Sequence, residues 1–348
     1  MRTIVFTGGG TLGHCLPSLS LLPYLNKAFD RFVYVGSKTG PEREAVKCIM
    51  EYMPITTTKL IRGFNVRNLT IPFKLITAVS EAKNILETVR PSVVFSKGGF
   101  VSVPVAIAAK KLGIPLVVHE SDLTLGLANR IAAKRADVVC TSFSSTCENL
   151  DNGIYTGPPI RDEIFVNKRF EAQKLFCLPL KKPVLLVMGG SQGAKSINDF
   201  LLSNLNEILK TYEVLHICGS GHTTNVNKVG YRQVAFLKDM ALAYSISDIC
   251  VSRCGSNSAF ELLSRNIPTL FIPLPKGNSR GDQVENARYF QLKGVSKTLE
   301  EQNLRLDSFL ENLNSLWKNK AEYSARMRAL NLKDGAKEIA KTILDRAK

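Results

Sequence analysis

The 348-residue, 38.4 kDa chain has the length of about two domains, and its 45% apolar and 22% charged residues are ordinary globular usage, which excludes disorder, collagen and coiled coil. A formal charge of +16, split as +7 over residues 1–160 and +9 over 161–348, favours polyanionic partners without choosing among nucleic acid, anionic membrane and phosphorylated small molecules. No apolar run reaches the roughly 18 residues of a membrane span, and the eight cysteines include no CxxC pair and no zinc spacing. The chain therefore reads as soluble and cytosolic, with reduced thiols.

In chain order, the expected strands are Thr3–Phe6, Phe32–Val35, Ser92–Phe95, Leu116–His119 and Val138–Cys140, then Pro183–Met188, Tyr212–Ile217, Arg232–Phe236, Ile249–Val251 and Thr269–Ile272. The first runs straight from Met1 into a glycine cluster, as a core strand does and a signal peptide does not. The runs are short, β-branched and continuously apolar, and polar-patterned stretches of helical length separate them. Strands buried on both faces lose alternation, so this pattern predicts parallel sheets covered by helices on both sides. It occurs twice, predicting two Rossmann-like domains facing across a cleft: residues 1–160, and residues 161–348 with a C-terminal helix (about 325–348) that packs back onto the first. The Gly157-Pro158-Pro159 to Lys181-Lys182-Pro183 stretch, rich in breakers, reads as the linker.

Each half opens with a strand entering a glycine loop, Gly8-Gly9-Gly10-Thr11-Leu12-Gly13 and Gly189-Gly190-Ser191-Gln192-Gly193-Ala194, and each later repeats the device at Lys97-Gly98-Gly99 and Arg253-Cys254-Gly255. Ligands of open parallel sheets bind beyond the carboxyl ends of the strands, where all four loops lie. The first loop is a literal GxGxxG, but a dinucleotide site needs a carboxylate about 20 residues on, at the end of the second strand. That strand ends Val35-Gly36-Ser37 with no acid until Glu42, which disfavours NAD(P). The remaining property is backbone N–H groups at a helix start, suited to a diphosphate. His14, in the first helical turn after the loop, is placed to take a proton from a hydroxyl. His119-Glu120 reads equally as a functional pair or a buried pair holding its loop.

The second domain's loop at Gly189 is the stronger phosphate cradle, and no Walker GxxxxGK[ST] motif occurs. Glu261, in the helix that Ser256 starts, suits a ribose diol. The polar loop Pro273 to Gln283, with Asp282, suits sugar hydroxyls. No Asp-x-Asp metal-bridged site exists, so a leaving diphosphate must be met by amide dipoles and cations such as Arg161. Between Glu51 and Glu81 there is no acid, and the segment 59–76 mixes Lys59, Arg62, Arg67 and Lys74 with Phe64, Leu69, Ile71 and Phe73. It reads evenly as a patch for an anionic bilayer or a core-facing helix with a basic side. No nucleic-acid motif is present.

Taken together, Thr7–His14, Ser96–Pro104, His119-Glu120-Ser121-Asp122, Gly157–Arg161, Gly189–Ala194 and Asp282-Gln283 with Asn286-Ala287 resemble the MurG family of peptidoglycan glycosyltransferases over essentially the whole chain. The resemblance implies a GT-B fold and inverting transfer of N-acetylglucosamine from UDP-N-acetylglucosamine to the C4 hydroxyl of undecaprenyl-diphospho-muramoyl-pentapeptide (lipid I to lipid II). It implies donor contacts from Thr11, Gly13, Arg161, Ser191, Gln192, Phe236, Leu237, Arg253, Ser256, Glu261, Asp282 and Gln283. Gly9, Gly10, Gly98 and Gly99 would face the acceptor diphosphate and His14 would be the base; Asp122, where the family usually has Asn, would be a competing proton acceptor. It implies no cofactor and leaves stimulation by a divalent cation open, with no protein ligands for one. It tips the segment 59–80 toward membrane contact, peripheral on the cytoplasmic face, with other cell-wall synthesis proteins as partners. The chain departs from the family at Leu12 (usually small), Asp122 (usually Asn) and Asp282 (usually Gln). The rival readings are a diacylglycerol glycosyltransferase of the same fold, an NAD-dependent oxidoreductase, and a UDP-sugar-binding membrane adaptor.

Overall fold

The computed structural model of the protein describes residues 1–57, 71–190, 192–277 and 280–347, except for the side chains of Leu12 and Ile71. The chain divides into two compact units, Met1–Arg161 with Lys333–Lys348, and Asp162–Leu332.

The first unit is built on strands β1 (Thr3–Thr7), β2 (Arg31–Ser37), β3 (Glu51–Ile55), β4 (Val93–Ser96), β5 (Leu116–Glu120), β6 (Val138–Thr141) and β7 (Gly153–Tyr155). They form one sheet in the order β3-β2-β1-β4-β5-β6-β7, with every pair parallel. Ile4, Phe6, Tyr34, Phe95 and Val117 pack on one face against Leu21, Leu25 and the terminal helix Gly335–Arg346, through its Ala336, Ile339, Ala340 and Ile343. Val5, Val33, Val94 and Val118 pack on the other face against helices Ile71–Val89 and Ser102–Lys111. Covering both faces is what removes alternation from β1, which is buried at every position.

The second unit repeats the plan with β8 (Val184–Met188), β9 (Glu213–Ile217), β10 (Tyr231–Val234), β11 (Ile249–Ser252), β12 (Thr269–Phe271) and β13 (Ser296–Thr298). The order is β10-β9-β8-β11-β12-β13, again all parallel. Leu185, Val187, Val214, Ile249 and Val251 meet Ile197, Leu201, Leu205 and Leu313 from the flanking helices.

Three strands were not expected: β3, β7 and β13. Each lies at the margin of its sheet, is at most partly buried apart from one terminal residue, and so carries no continuous apolar run. Pro54 in β3 fits such a margin, because an edge strand needs only one set of ladder bonds. The expected linker is also shorter than its composition suggests, since the helix Arg169–Phe176 inside it belongs to the second unit.

Candidate active site

In each sheet the strand order reverses beside the first strand. In the first unit this switch lies between β1, whose successor β2 is on one side, and β4 on the other. In the second it lies between β8 and β11. All four glycine loops leave the carboxyl ends of these four strands, so each unit presents two of them at its own switch point, where open α/β sheets hold ligands.

In the first unit the two loops are in contact. A Cβ added at Gly99, where φ is +81°, would lie 2.2 Å from the Gly9 carbonyl oxygen, so only glycine allows this approach. After Gly8-Gly9-Gly10 the chain enters a 3₁₀ turn, Leu12–His14, and then a four-residue helix, Leu16–Leu19. His14 therefore stands in a 3₁₀ turn and not in the first turn of a helix, and the dipole of such short pieces is small. Side chains hold the loop instead. The buried Tyr34 hydroxyl donates to the Gly8 carbonyl at 3.0 Å. Glu42, fully buried, accepts from the Gly10 N–H at 3.3 Å and the Ser37 N–H at 3.0 Å, and also from the Ser37 hydroxyl. The Thr11 hydroxyl lies 3.0 Å from His14 Nδ1 and orients the imidazole. Burial, reinforced by Cys15 and Glu42, keeps the Tyr34 phenol protonated far into the alkaline range.

The end of β5 is a second polar centre. Glu120, buried, accepts from the N–H groups of Asp122 (3.0 Å) and Gly126 (3.0 Å) and from Asn129 Nδ2 (2.9 Å). Its acid is pushed up by burial and then by the nearby Asp122. Lys97, between β4 and Gly98, donates to the Ser121 hydroxyl. Burial lowers its ammonium to about 8, although Glu120 and Asp122 oppose the change. His119 is held well below its ordinary value by burial and then by Lys97, so it is a neutral, buried ring within 3.3 Å of the Ser142 hydroxyl. Of the two readings of His119-Glu120, the geometry fits the one in which they hold the loop.

In the second unit both loops feed regular helices, Lys195–Ser203 and Ser256–Ser264, each without a side-chain cap and without an acid in its first turn. Such N-termini suit an anion. Gly193, at φ +75°, would place a Cβ 2.1 Å from the Cys218 carbonyl oxygen. Gln192 is exposed, and Ser191 lies outside the described residues. Arg253 is the strut of the cluster: Nη1 donates to the carbonyls of Ile272 (3.0 Å) and Pro273 (3.2 Å), and Nη2 donates to the Ser196 hydroxyl (3.0 Å) and pairs with Glu301. Glu261 accepts from the Tyr244 hydroxyl at 2.8 Å. Asp282 and Gln283 open the helix Asp282–Leu292, with Gln283 accepting from the Leu274 N–H at 2.9 Å. Phe236 is 54% exposed and Leu237 half-buried, while Ser256 is buried at its helix start. Arg161 closes the first unit.

Two family models match, the glycosyltransferase family 28 N-terminal domain over residues 4–141 and its C-terminal domain over 184–343. A UDP-N-acetylglucosamine–N-acetylmuramyl-(pentapeptide) pyrophosphoryl-undecaprenol N-acetylglucosamine transferase of Clostridium tetani is 40% identical over 344 residues, 97% of this chain and 96% of that one. The transferase of the same name from Geobacillus kaustophilus is 40% identical and covers 100% and 99%. The chain belongs to the MurG family. The crystal structure of Acinetobacter baumannii MurG superposes with a TM-score of 0.75 at 22% identity, covering 99% of this chain and 100% of that one, so the fold is shared. The protein is thus a family 28 glycosyltransferase with two Rossmann-like parallel-sheet domains of the GT-B type.

Of the expected membrane residues of this MurG-family chain, Lys59, Arg62, Phe64, Arg67 and Leu69 lie outside the described residues, as does the Ile71 side chain. Phe73 is 74% and Ile76 69% exposed beside exposed Lys74 on the helix Ile71–Val89. Among the described residues no helix is long and apolar enough to cross a membrane. Sequence reasoning passed over Tyr34, Glu42, Asn129 and Tyr244. Glu42 had a signal, an acid just past β2 that is too far along for a ribose. The others come from ordinary strand and helix positions and carry no local mark.

Proposed function

We propose that the protein transfers N-acetylglucosamine from UDP-N-acetylglucosamine to the C4 hydroxyl of undecaprenyl-diphospho-N-acetylmuramoyl-pentapeptide, with inversion, giving a β-1,4 bond. The observation that carries this reading is 40% identity, over nearly the whole length, to transferases named for that donor and acceptor. The second unit takes the donor. The uracil lies against Phe236 and Leu237, Glu261 holds the ribose diol, and the diphosphate sits on the amides at Ser191-Gln192 and Ser256, with Arg161 adding charge. Asp282 and Gln283 meet the sugar hydroxyls, and Arg253 braces the loops that do this. Thr11 and Gly13 complete the donor set from the first unit.

The acceptor diphosphate meets Gly9, Gly10, Gly98 and Gly99. The C4 hydroxyl attacks the anomeric carbon as His14 removes its proton, with Asp122 as a second acceptor, and the bond to the UDP oxygen breaks. Helix dipoles and Arg161 stabilise the leaving diphosphate, a contribution that preorganised dipoles make without further rearrangement. The exposed Phe73, Lys74 and Ile76, continuing from the basic segment 59–71, support peripheral attachment to an anionic bilayer on its cytoplasmic face.

The test is transfer of radiolabelled N-acetylglucosamine from UDP to a short-chain muramoyl-diphosphate lipid, with diacylglycerol as the competing acceptor. Label in the muramoyl lipid alone is the expected result. Label in diacylglycerol, or donor binding with no transfer to either lipid, would overturn the assignment.

A further inference from the structure

Lys97 is an ammonium with 2% exposure at the carboxyl end of β4, and the acceptor reading given above leaves it without a task. Its N–H donates to the Thr7 carbonyl at 2.9 Å, which fixes its backbone to the end of β1 directly before Gly98-Gly99. Its Nζ reaches across to the end of β5 and donates to Ser121. The turn it meets is wound around a buried carboxylate, since Glu120 collects the N–H groups of Asp122 and Gly126 and the amide of Asn129. Glu120 and Asp122 thus stand two residues apart at the end of one strand, and burial makes the Glu120 charge costly unless a cation is near. The titratable groups that act on Lys97 are Glu120 and Asp122, and His119 in turn responds to Lys97; all three come from the end of β5. Across from them, the helix Leu127–Ala133 contributes the uncharged Asn129.

We infer that Lys97 is a positioning residue of the transfer reaction: its ammonium anchors the Glu120–Gly126 turn through Ser121 and sets a positive charge beside the buried Glu120 carboxylate at the acceptor end of the unit. The inference rests on the reading that this end of the first unit handles the acceptor. Loss of the Lys97 proton takes away the positive charge that acts on the buried Glu120 carboxylate, so acceptor use falls while donor binding, which rests mainly on the second unit, does not. Burial places that proton loss near pH 8.

The test measures kcat/KM for a short-chain muramoyl-diphosphate lipid between pH 6.5 and 9.5, with UDP-N-acetylglucosamine saturating, for the wild type, Lys97→Arg and Lys97→Met. For the wild type kcat/KM should fall above about pH 8, approaching tenfold per pH unit as one essential proton is lost. Lys97→Arg, which stays charged, should carry the plateau to the end of the range. Lys97→Met should be low and flat throughout, with the donor KM unchanged. Coincident wild-type and arginine profiles, or full kcat/KM in Lys97→Met, would overturn the inference.

Urea unfolding supplies an arm independent of activity. The amine loses its proton near 8 when folded but near its ordinary 10.5 when unfolded. Between those values the unfolded chain binds more protons, so wild-type stability should rise with pH relative to Lys97→Met. Absence of that rise overturns the inference even if Lys97→Arg fails to fold. Absence of any transfer to the muramoyl lipid, with the rise present, instead removes the functional reading on which the inference rests.

Discussion

The two units share the order of six strands and place two glycine loops at the same switch point; the later loop of the first unit, at Gly98-Gly99, also runs into a regular helix, Ser102–Lys111, but the loops that open the two units are held by different means. In the second unit each loop runs into a nine-residue helix, and a buried arginine ties the loops together. In the first, the loop after β1 enters a three-residue turn and a four-residue helix, and buried side chains (Tyr34, Glu42) support it. A helix terminus is a fixed dipole, suited to a charge that must be held or left behind, as on a nucleoside diphosphate. A network of titratable side chains suits the half of a reaction in which a proton moves. On the proposed function, this contrast fits leaving-group stabilisation by the second unit and hydroxyl activation by the first.

The largest expected effect breaks the comparison at its chemical end. His14→Ala should lower turnover by about two to four orders of magnitude, the usual contribution of a general base, while calorimetric donor affinity stays near wild type. An equal loss in donor affinity would move His14 out of the first unit's proton chemistry.

Next come the glycines that cannot accept a Cβ. Gly193→Ala must shift the Cys218 carbonyl and hold an unfavourable φ, at about 1–3 kcal/mol, and should weaken donor binding by about tenfold or more. Gly99→Ala should instead raise the acceptor KM and leave donor affinity alone. If both variants damaged donor binding equally, the division of labour would be wrong.

Glu42→Ala sharpens the account of the first loop. It removes the acceptor for the Gly10 and Ser37 N–H groups and the Ser37 hydroxyl, and should cost about 1–3 kcal/mol of stability in a urea titration. The second unit has no counterpart to this carboxylate prop at its Gly189 loop among the described residues. The smallest effect belongs to Tyr244→Phe. Loss of its 2.8 Å bond to Glu261 should raise the donor KM by about three- to tenfold, the worth of one such hydrogen bond, with kcat little changed.

The parallel sheets were legible because strands buried on both faces are written as unbroken apolar runs, and the glycine loops because tight backbone approaches admit no other residue. The edge strands β3, β7 and β13 were not, since half-exposed strands carry mixed residues. The same limit applies to the site. His14, Glu261 and Gln283 sit on or beside local motifs and could be named from the sequence. Tyr34, Tyr244 and Asn129 act from 17 to 26 residues away, or nine in the case of Asn129, through contacts that only the folded sheet creates. Lys97 was visible as a letter in a motif, but its burial was not, because burial depends on how β4 and β5 end together. The family resemblance implies Arg253 as a donor contact, and the structure adds that its guanidinium ties together three segments of the second unit.

The most direct measurement is UDP release from UDP-N-acetylglucosamine with and without a short-chain muramoyl-diphosphate lipid, followed at saturating donor. The account predicts rapid release that depends on the lipid and nearly vanishes in His14→Ala. Release at the same rate without lipid, or none in its presence, would contradict it.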